Sequence, residues 1–578
     1  MERKTVSRRT FLAKSIIASG GIILSSHLAA CVRDFQGDDG PSDKIPRFLH
    51  GVGSFDPTAS AVIIWTRFTP TETEVGSSIA IKWQVSTNEN FTAIVHEGIA
   101  YTSATDDFVV IKDVTGLAPN GKYYYRFLQE DLEEESMIGE TITLPNAGDA
   151  VSSLKLAVCS CSNFPAGVFN VYDAIAKSDA DIVLHLGDYI YEYEEGGYGT
   201  NENTEALGRV HDPKTEILTL EDYRLRYRQY RTDEGLQLAH SKKPFIVVWD
   251  DHEITNDAYM DGAENHDDSE GSYEERKRRA IQVHGEYLPI RTDNGEIIYR
   301  NFEYGNLANL VMLDTRIIGR DKQLGFTDFF GTDGSFDIVG FQTALSDPNR
   351  NLIGPAQLSW LGGAVGSSSA KWQVLGQQVL MGTMTVPSDL LVSIGAVASG
   401  NTSPEVLQQL QQLIVELSTI KARSLAGDPT LTEAELARIN TVLPYNLDAW
   451  DGYPVEREKV YSLLTGKNTV VLAGDTHNAW NSDLIDGNGD KIGEEFACSS
   501  VSSPGFEGLF GNDLATIAGI EQAFVLLIDR LKYFDASRRG YVLAEFTEGS
   551  ATASYRFIDN IASTSYTETE GNTTVFMV

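Results

Sequence analysis

Apolar residues along this chain gather in short runs that stop at clusters of acidic, thiol, phenol and imidazole side chains. Residues 155–158 run into Cys159-Ser160-Cys161-Ser162-Asn163, and residues 182–186 into Gly187-Asp188-Tyr189-Ile190-Tyr191-Glu192. Residues 245–249 run into Asp250-Asp251-His252-Glu253, and residues 469–473 into Gly474-Asp475-Thr476-His477-Asn478. A short, β-branched run bounded by turn residues predicts a buried strand. Open α/β sheets bind their ligands just beyond the carboxyl ends of such strands. Four of these strands side by side would bring all the polar clusters to one sheet edge.

The rest of the pattern divides in two. Residues 45–146 read as short strands separated by turn signals, for example 61–66, 79–85 and 108–112, with an aromatic-rich strand ending near Phe127. Regular short strands of this kind predict a β-sandwich of immunoglobulin or fibronectin type. Over residues 153–565 strands alternate with helical patterns, including 171–177 and 220–230, which is α/β or α+β grammar. Residues 403–440 carry Leu, Gln, Glu and Ala at helical spacing and predict an inserted helical hairpin. Residues 193–206 and 261–272 are Gly-rich or acidic and read as loops beside the strand ends.

Composition narrows the function. The chain has 578 residues, 46 basic against 82 acidic, for a net charge of −36. So acidic a surface excludes nucleic acid as a specific partner, because phosphate backbones are held by Lys and Arg. The four cysteines, Cys31, Cys159, Cys161 and Cys498, do not make a disulfide framework once Cys31 is assigned elsewhere. Ser7-Arg8-Arg9-Thr10-Phe11-Leu12 is a twin-arginine export pattern. The apolar stretch that follows, 16–30, is too short and too rich in Gly and Ser for a membrane span. It ends in Leu28-Ala29-Ala30-Cys31, which looks like a lipobox and predicts diacylation of Cys31. The alternative is an ordinary signal peptide with an incidental cysteine. The expectation is a lipid-tethered protein on the periplasmic or cell-surface side.

Each strand-end cluster has a chemical and a structural reading. Asp188 can ligate a metal or cap a helix. Tyr191, three residues on, reaches the same centre if the segment turns helically; otherwise it packs beside Tyr189 and Tyr193. A phenol ligates well only to a strong Lewis acid, and ferric iron is the usual partner. Cys159 and Cys161 would point to one face of a strand, so periodicity does not choose between them as a thiolate ligand. Cys498 reads as a buried, inert thiol. A carboxylate in Asp250-Asp251-His252-Glu253 could bridge two ions, with His252 positioned as a general acid. Asp475 and His477 are the most ligand-like pair. Arg316, in Leu313-Asp314-Thr315-Arg316, offers bidentate contacts to phosphate or a structural ion pair with Asp314.

The ordered set of motifs resembles the PhoD-type alkaline phosphatases and phosphodiesterases. It runs from His50-Gly51-Val52-Gly53 and Ile64-Trp65-Thr66-Arg67 through the strand-end clusters. Trp450-Asp451-Gly452-Tyr453-Pro454 and Gly474-Asp475-Thr476-His477 complete it. The resemblance implies a four-layer, calcineurin-like metallophosphatase fold behind an N-terminal sandwich, and a centre of Fe3+ and Ca2+. It implies Cys161, Asp188, Tyr191, Asp251, Asp475 and His477 as ligands. Cys161 is preferred over Cys159 because Gly167 and Tyr172 fall at the family's spacing. His252 matches the histidine beside the bridging acid. Ser162, Cys159 and the 403–440 insertion depart from the pattern. Family iron suits the thiolate and phenolate, and calcium the hard oxygens.

The function so implied is hydrolysis of phosphomonoesters or phosphodiesters by a metal-activated hydroxide, with Arg316 holding phosphoryl oxygens and His252 protonating the leaving alkoxide. The substrates are small phosphate esters. A phospholipase D-like phosphodiesterase is the closest rival. A non-enzymatic, calcium-binding surface lipoprotein is the rival from another class.

Overall fold

All four strands form, but they divide between two sheets rather than lying side by side in one. The computed structural model describes residues 46–292, 295–333, 335–398, 403–507 and 514–578. The first strands are β1 (Val52–Phe55), β2 (Ala61–Arg67), β3 (Ile79–Ser86), β4 (Ile94–Thr102), β5 (Val109–Thr115), β6 (Lys122–Gln129), β7 (Glu134–Glu135) and β8 (Gly139–Ile142). Next come β9 (Ser153–Cys159), β10 (Ile182–His185), β11 (Pro244–Val247), β12 (Arg300–Tyr304), β13 (Ala308–Met312), β14 (Trp372–Gly376), β15 (Thr385–Pro387) and β16 (Val442–Pro444). The last are β17 (Asn468–Ala473), β18 (Ala479–Ile485), β19 (Lys491–Ala497), β20 (Leu531–Asp535), β21 (Arg539–Thr547), β22 (Ser550–Ile558) and β23 (Glu568–Met577).

Among the described residues the larger sheet runs β23-β22-β21-β9-β10-β11-β1-β2-β5, and the second runs β12-β13-β14-β17-β19-β18-β20. The strands β9, β10 and β11 are parallel neighbours, with Val183 opposite both Ala157 and Phe245. The fourth expected strand, β17, is parallel to β14 and β19 in the second sheet. A strand buried on both faces reads as one continuous apolar run, so its hydropathy does not encode which sheet it joins.

The two sheets share one core. Leu156 and Val158 of β9, Leu184 of β10 and Ile246 of β11 pack in the same buried cluster as Met312, Val374, Val470 and Leu472 of the second sheet. Alternate residues of the second sheet, Val311, Leu375, Val471 and Ala473, point the other way. They meet buried side chains of the helices Gly354–Ser367, Ser388–Ala398, Pro404–Leu425 and Pro454–Leu464. Each fully buried Leu, Ile or Val contributes about 1.5–3 kcal/mol.

The expected helices are present as Asn170–Lys177 and Leu220–Tyr230. The second opens on a capping box, in which Thr219 and Asp222 satisfy each other's backbone N–H. The hairpin forms as Pro404–Leu425 and Glu433–Asn440. Leu410, Ile414 and Leu417 make its inner stripe, at helical spacing. A preceding helix, Ser388–Ala398, packs in the same buried cluster as the hairpin. The base of these helices is closed by the antiparallel pair β15–β16, with Thr385 opposite Pro444.

The N-terminal part has two sheets, but one of them is not its own. Strands β3, β4, β6, β7 and β8 form a separate sheet, whereas β1, β2 and β5 continue the large sheet. Ile81, Trp83, Val85, Tyr125 and Phe127 of the first pack on Val62, Ile64 and Val110 of the second. The junction is β1 running parallel to β11, Ser54 opposite Pro244.

Candidate metal centre

The loops that leave β9, β10 and β17 turn by an uncommon route. Cys161, Asp188, Asp475 and His477 have φ of 62°, 56°, 66° and 64°. Non-glycine residues avoid this left-handed region unless the surroundings hold them there, and such strain gathers at functional sites. Here the loops are tied together. The N–H of Cys161 donates to the Gly187 carbonyl at 3.1 Å, and that of Ser162 to the Asp188 carbonyl at 2.8 Å. The Ser162 hydroxyl donates to the Tyr189 carbonyl at 3.0 Å and accepts from Tyr172 at 3.0 Å. Glu253 accepts from the N–H of Asp188 at 3.0 Å and of Asp250 at 2.7 Å, so it fixes two ligand loops at once. Gly187 is required by crowding: at its φ of 103° a Cβ would stand 2.4 Å from Cβ of Asp250.

Three overlapping groups of donors result: Cys161, Asp188 and His477; Asp188, Asp251 and His252; Asp250, Asp251 and Asp475. Within each, the ligand atoms lie within 4.8 Å of one another. Tyr191 joins the first group. Its hydroxyl donates to Asp188 Oδ2 at 3.0 Å, lies 3.2 Å from His477 Nε2 and accepts from Ser503 at 2.7 Å. It arrives there through bends and irregular backbone, not through the helical turn expected from its spacing. Cys161 is the thiol at the centre. Cys159 is the last residue of β9 and its sulfur faces the Leu184 carbonyl at 3.8 Å. Cys159, Cys161 and Cys498 are all buried and free, and Cys31 lies outside the described residues.

Two imidazoles are set by their second nitrogens. His477 Nδ1 donates to the Pro504 carbonyl at 2.8 Å, an assignment made from the acceptor, which turns the Nε2 lone pair inward. The Tyr198 hydroxyl donates to the same carbonyl at 2.7 Å. His252 Nδ1 donates to Glu192 at 2.7 Å, which leaves Nε2 for the cavity. Glu192 is itself held by the N–H of Asn256 and the amide of Asn265, each at 2.9 Å.

The electrostatics fit bound cations. Burial and the Asp188 carboxylate push the Cys161 thiol well up, and burial with Asp188 and Cys161 does the same to the Tyr191 phenol. Burial also raises Asp188, and lifts Asp475 to about 7 in spite of Arg316. Burial lowers His477 to about 3, keeping it neutral. Burial opposes a charged His252, but Glu192, Asp188 and Asp251 outweigh it and raise this imidazole. A cation inverts the penalty on the thiol, phenol and carboxylates, and takes neutral imidazole as a ligand. Asp188 Oδ1 is buried with no hydrogen-bond partner among the described residues, which is how a ligand oxygen would stand.

Asp188, Asp251, His252, Asp475 and His477 line a cavity of about 300 Å³. Tyr193 and Tyr198 come to its wall from the 193–206 loop, and Tyr445 and Phe506 also line it. Asp257 and Asp448 also face it. A larger cavity, about 450 Å³, opens among Ile63, Ile111, Ile281 and Ile290 and contains none of the donors.

Arg316 departs from expectation. It is not on the cavity wall; it lies fully buried behind it, among Asp250, Asp251, Asp448 and Asp475. Nor does its guanidinium pair with Asp314, which instead accepts the Arg316 backbone N–H at 2.8 Å. Tyr198, Asp448 and Ser503 carry no strand-end signal that would assign them to the site, and Glu192, last in its strand-end cluster, carries none that marks it as the partner of His252. The Trp450–Pro454 motif is structural: Asp451 accepts from the Met384 N–H at 2.7 Å and pairs with Arg457.

A buried thiol, phenol, imidazole and carboxylate set at the ends of two facing sheets, under an open cavity, could hold metal ions and fits a metal-dependent hydrolase. Residues 156–555 match the model of the PhoD-like phosphatase family, and residues 36–145 that of the PhoD-like phosphatase N-terminal domain. Alkaline phosphatase D of Bacillus subtilis (strain 168) is 32% identical over 572 residues, spanning 96% of this chain and 85% of that protein. The solved structure of PhoD superposes with a TM-score of 0.71 at 30% identity, over 93% of this chain and 92% of its own. The chain belongs to the PhoD-like phosphatase family and is a phosphoester hydrolase.

Proposed function

We propose that the protein hydrolyses small phosphate esters outside the cytoplasm, using ferric iron and calcium. One observation carries the metal reading: Cys161, Tyr191, His477 and Asp188 meet at one point, and Asp188 also belongs to the oxygen-rich group with Asp251. Thiolate and phenolate on one ion suit iron(III). The carboxylates of Asp251 and Asp475 suit calcium. Bound there, such ions supply Lewis acidity toward phosphoryl oxygens and lower the pKa of water.

The chain's own part is positioning and proton transfer. Asp188 serves both groups, so it sets their separation. Glu192 holds His252 with Nε2 toward the cavity, where it protonates the leaving alkoxide. The aromatic walls exclude water from the organic arm of the ester. They also favour the phosphodiester, phospholipase D-like form of the reading, because a second ester arm has rings to lie against. Membership of a phosphatase family argues against the non-enzymatic calcium-binding alternative.

Export and anchoring rest on the sequence. Residues 1–31 carry the twin-arginine and lipobox pattern, and the acyl chain on Cys31 would tether residues 45–146, read as the immunoglobulin-type sandwich, ahead of the four-layer catalytic part at 153–565. Detergent-free release of a Cys31→Ser variant from membranes tests the tether; an unchanged membrane fraction would sink it. For the enzyme, EDTA should abolish turnover of p-nitrophenyl phosphate and bis-p-nitrophenyl phosphate. Metal analysis of the active protein should find iron and calcium. Full activity in metal-stripped protein would refute the proposal, and the ratio of the two substrates ranks monoester against diester.

A further inference from the structure

Arg316 sits where a cation would. Its Nε donates to Asp250, Nη1 to Asp448 at 2.9 Å and Nη2 to Asp475 at 3.0 Å, and Nη2 stands 3.6 Å from Asp251. Asp250, Asp251 and Asp475 are the very group whose oxygens lie within 4.8 Å of one another. That spacing would serve a metal ion, but the guanidinium already contacts all three carboxylates. The anchor is firm on both sides. The Arg316 N–H is held by Asp314, which also accepts from the N–H of Ile317 at 2.9 Å and from Trp249 at 3.2 Å. Asp448 is shared with the buried Arg320, which also donates to its backbone carbonyl at 2.6 Å.

We infer that Arg316 is a built-in cation that takes the third seat of the cluster in place of a metal ion. It neutralises Asp250 and orients Asp251 and Asp475, both of which line the cavity; the second oxygen of Asp251 accepts from the Asp257 N–H. It is therefore a positioning residue that acts through the carboxylates and does not touch the phosphoryl group. A phosphate-binding role would require the side chain to leave four carboxylates and enter a cavity it does not line. Arginine suits the seat because its planar fork stays charged when buried and reaches several carboxylates at once. Removing one member of a buried ion network strands the other charges. The inference rests on the reading of Cys161, Tyr191 and His477, and of Asp188 with Asp251, as metal seats, and its test separates the two.

Full-length wild type, Arg316→Lys and Arg316→Ala would be compared in three measurements. Stripped of metal, Arg316→Ala should unfold at least about 3–5 °C below wild type, and low-millimolar methylguanidinium should restore part of the loss. Titrated with calcium, Arg316→Ala should bind one more ion per chain than wild type, while Arg316→Lys binds the wild-type number. Loaded with metal, Arg316→Lys should keep its inhibition constant for inorganic phosphate within about twofold of wild type. A rise of that constant by about tenfold or more, with unchanged stoichiometry and metal-free unfolding, would make Arg316 a phosphate ligand and overturn the inference. If Arg316→Ala does not fold, Arg316→Lys decides through the phosphate constant and the calcium count. If wild type binds no metal at all, the proposed function fails, and the metal-free unfolding with methylguanidinium still decides the role of Arg316.

Discussion

The Tyr191 hydroxyl lies 3.2 Å from Nε2 of His477, although 286 positions separate them in the chain. Two strand ends from different sheets thus meet at one point. With iron(III) there, the phenolate gives the protein a visible charge-transfer band. Tyr191→Phe should fold, retain iron through Cys161, Asp188 and His477, and lose the band. Colourless, fully active wild type would rule out the ferric assignment.

Asp188 is shared by two donor groups, so one substitution should disturb both. Asn is the appropriate replacement, since it tolerates the left-handed φ of 56° where Ala would add strain. Asp188→Asn should lower kcat/KM by about 10³ or more, about 4 kcal/mol of barrier, with an unchanged far-UV spectrum. Retained activity at equal metal content would remove Asp188 from the centre.

Metal affinity should rise with pH. Asp475 titrates at about 7 in the metal-free fold, raised by burial above an unfolded carboxylate near 4. The sign follows: from about pH 4 to 7 the metal-free fold binds the proton that the unfolded chain releases, so this group's stabilising contribution is lost as pH rises through 7. A metal ion must displace that proton. Calcium titrations between pH 5 and 7 should therefore tighten by up to about tenfold per pH unit for each proton released. A flat profile would exclude Asp475 from the ligand set.

His252 and Glu192 make a separable pair. His252→Gln should keep its metal but lose about 10²–10³ in kcat on alkyl esters, whose alkoxides need a proton, and much less on p-nitrophenyl esters. Glu192→Gln should show the same leaving-group pattern more weakly, because the amide oxygen still accepts from the ring's Nδ1–H. Equal losses on both ester types would place His252 outside proton transfer.

Gly187→Ala tests the crowding between ligand loops. Its Cβ would meet both Cβ and N of Asp250, at 2.4 and 2.5 Å, in a backbone conformation that alanine resists. The expected result is a loss of about 2–4 kcal/mol in stability and a parallel loss of metal affinity, read by thermal unfolding with and without calcium.

Hydropathy alone places β9, β10, β11 and β17 within a few residues, and the helical pattern places Leu220–Tyr230 to the residue. What hydropathy does not contain is sheet membership. β17 is as apolar as β10, and only the partners β14 and β19 decide where it goes. The choice between Cys159 and Cys161 fails in sequence for a local reason. Period-two alternation assumes a strand through both, yet β9 stops at Cys159 and the chain turns left-handed at Cys161. The Arg316 motif is legible as a strand end bearing a cation. Its direction is not, because the four carboxylates that claim it come from three distant segments. Ser503 and Tyr198 lie on loops whose polar composition looks like any surface turn.

One strand pairing has a consequence for how this protein can be cut or recombined. Parallel pairing of β1 with β11 seals what would otherwise be a raw hydrogen-bonding border of the catalytic sheet. A chain begun at Ser153 would keep every proposed metal ligand and still expose that border of β11, a template for the next molecule to add to. The first hundred described residues thus act as an edge guard, and the catalytic part is not a module that can be lifted out intact.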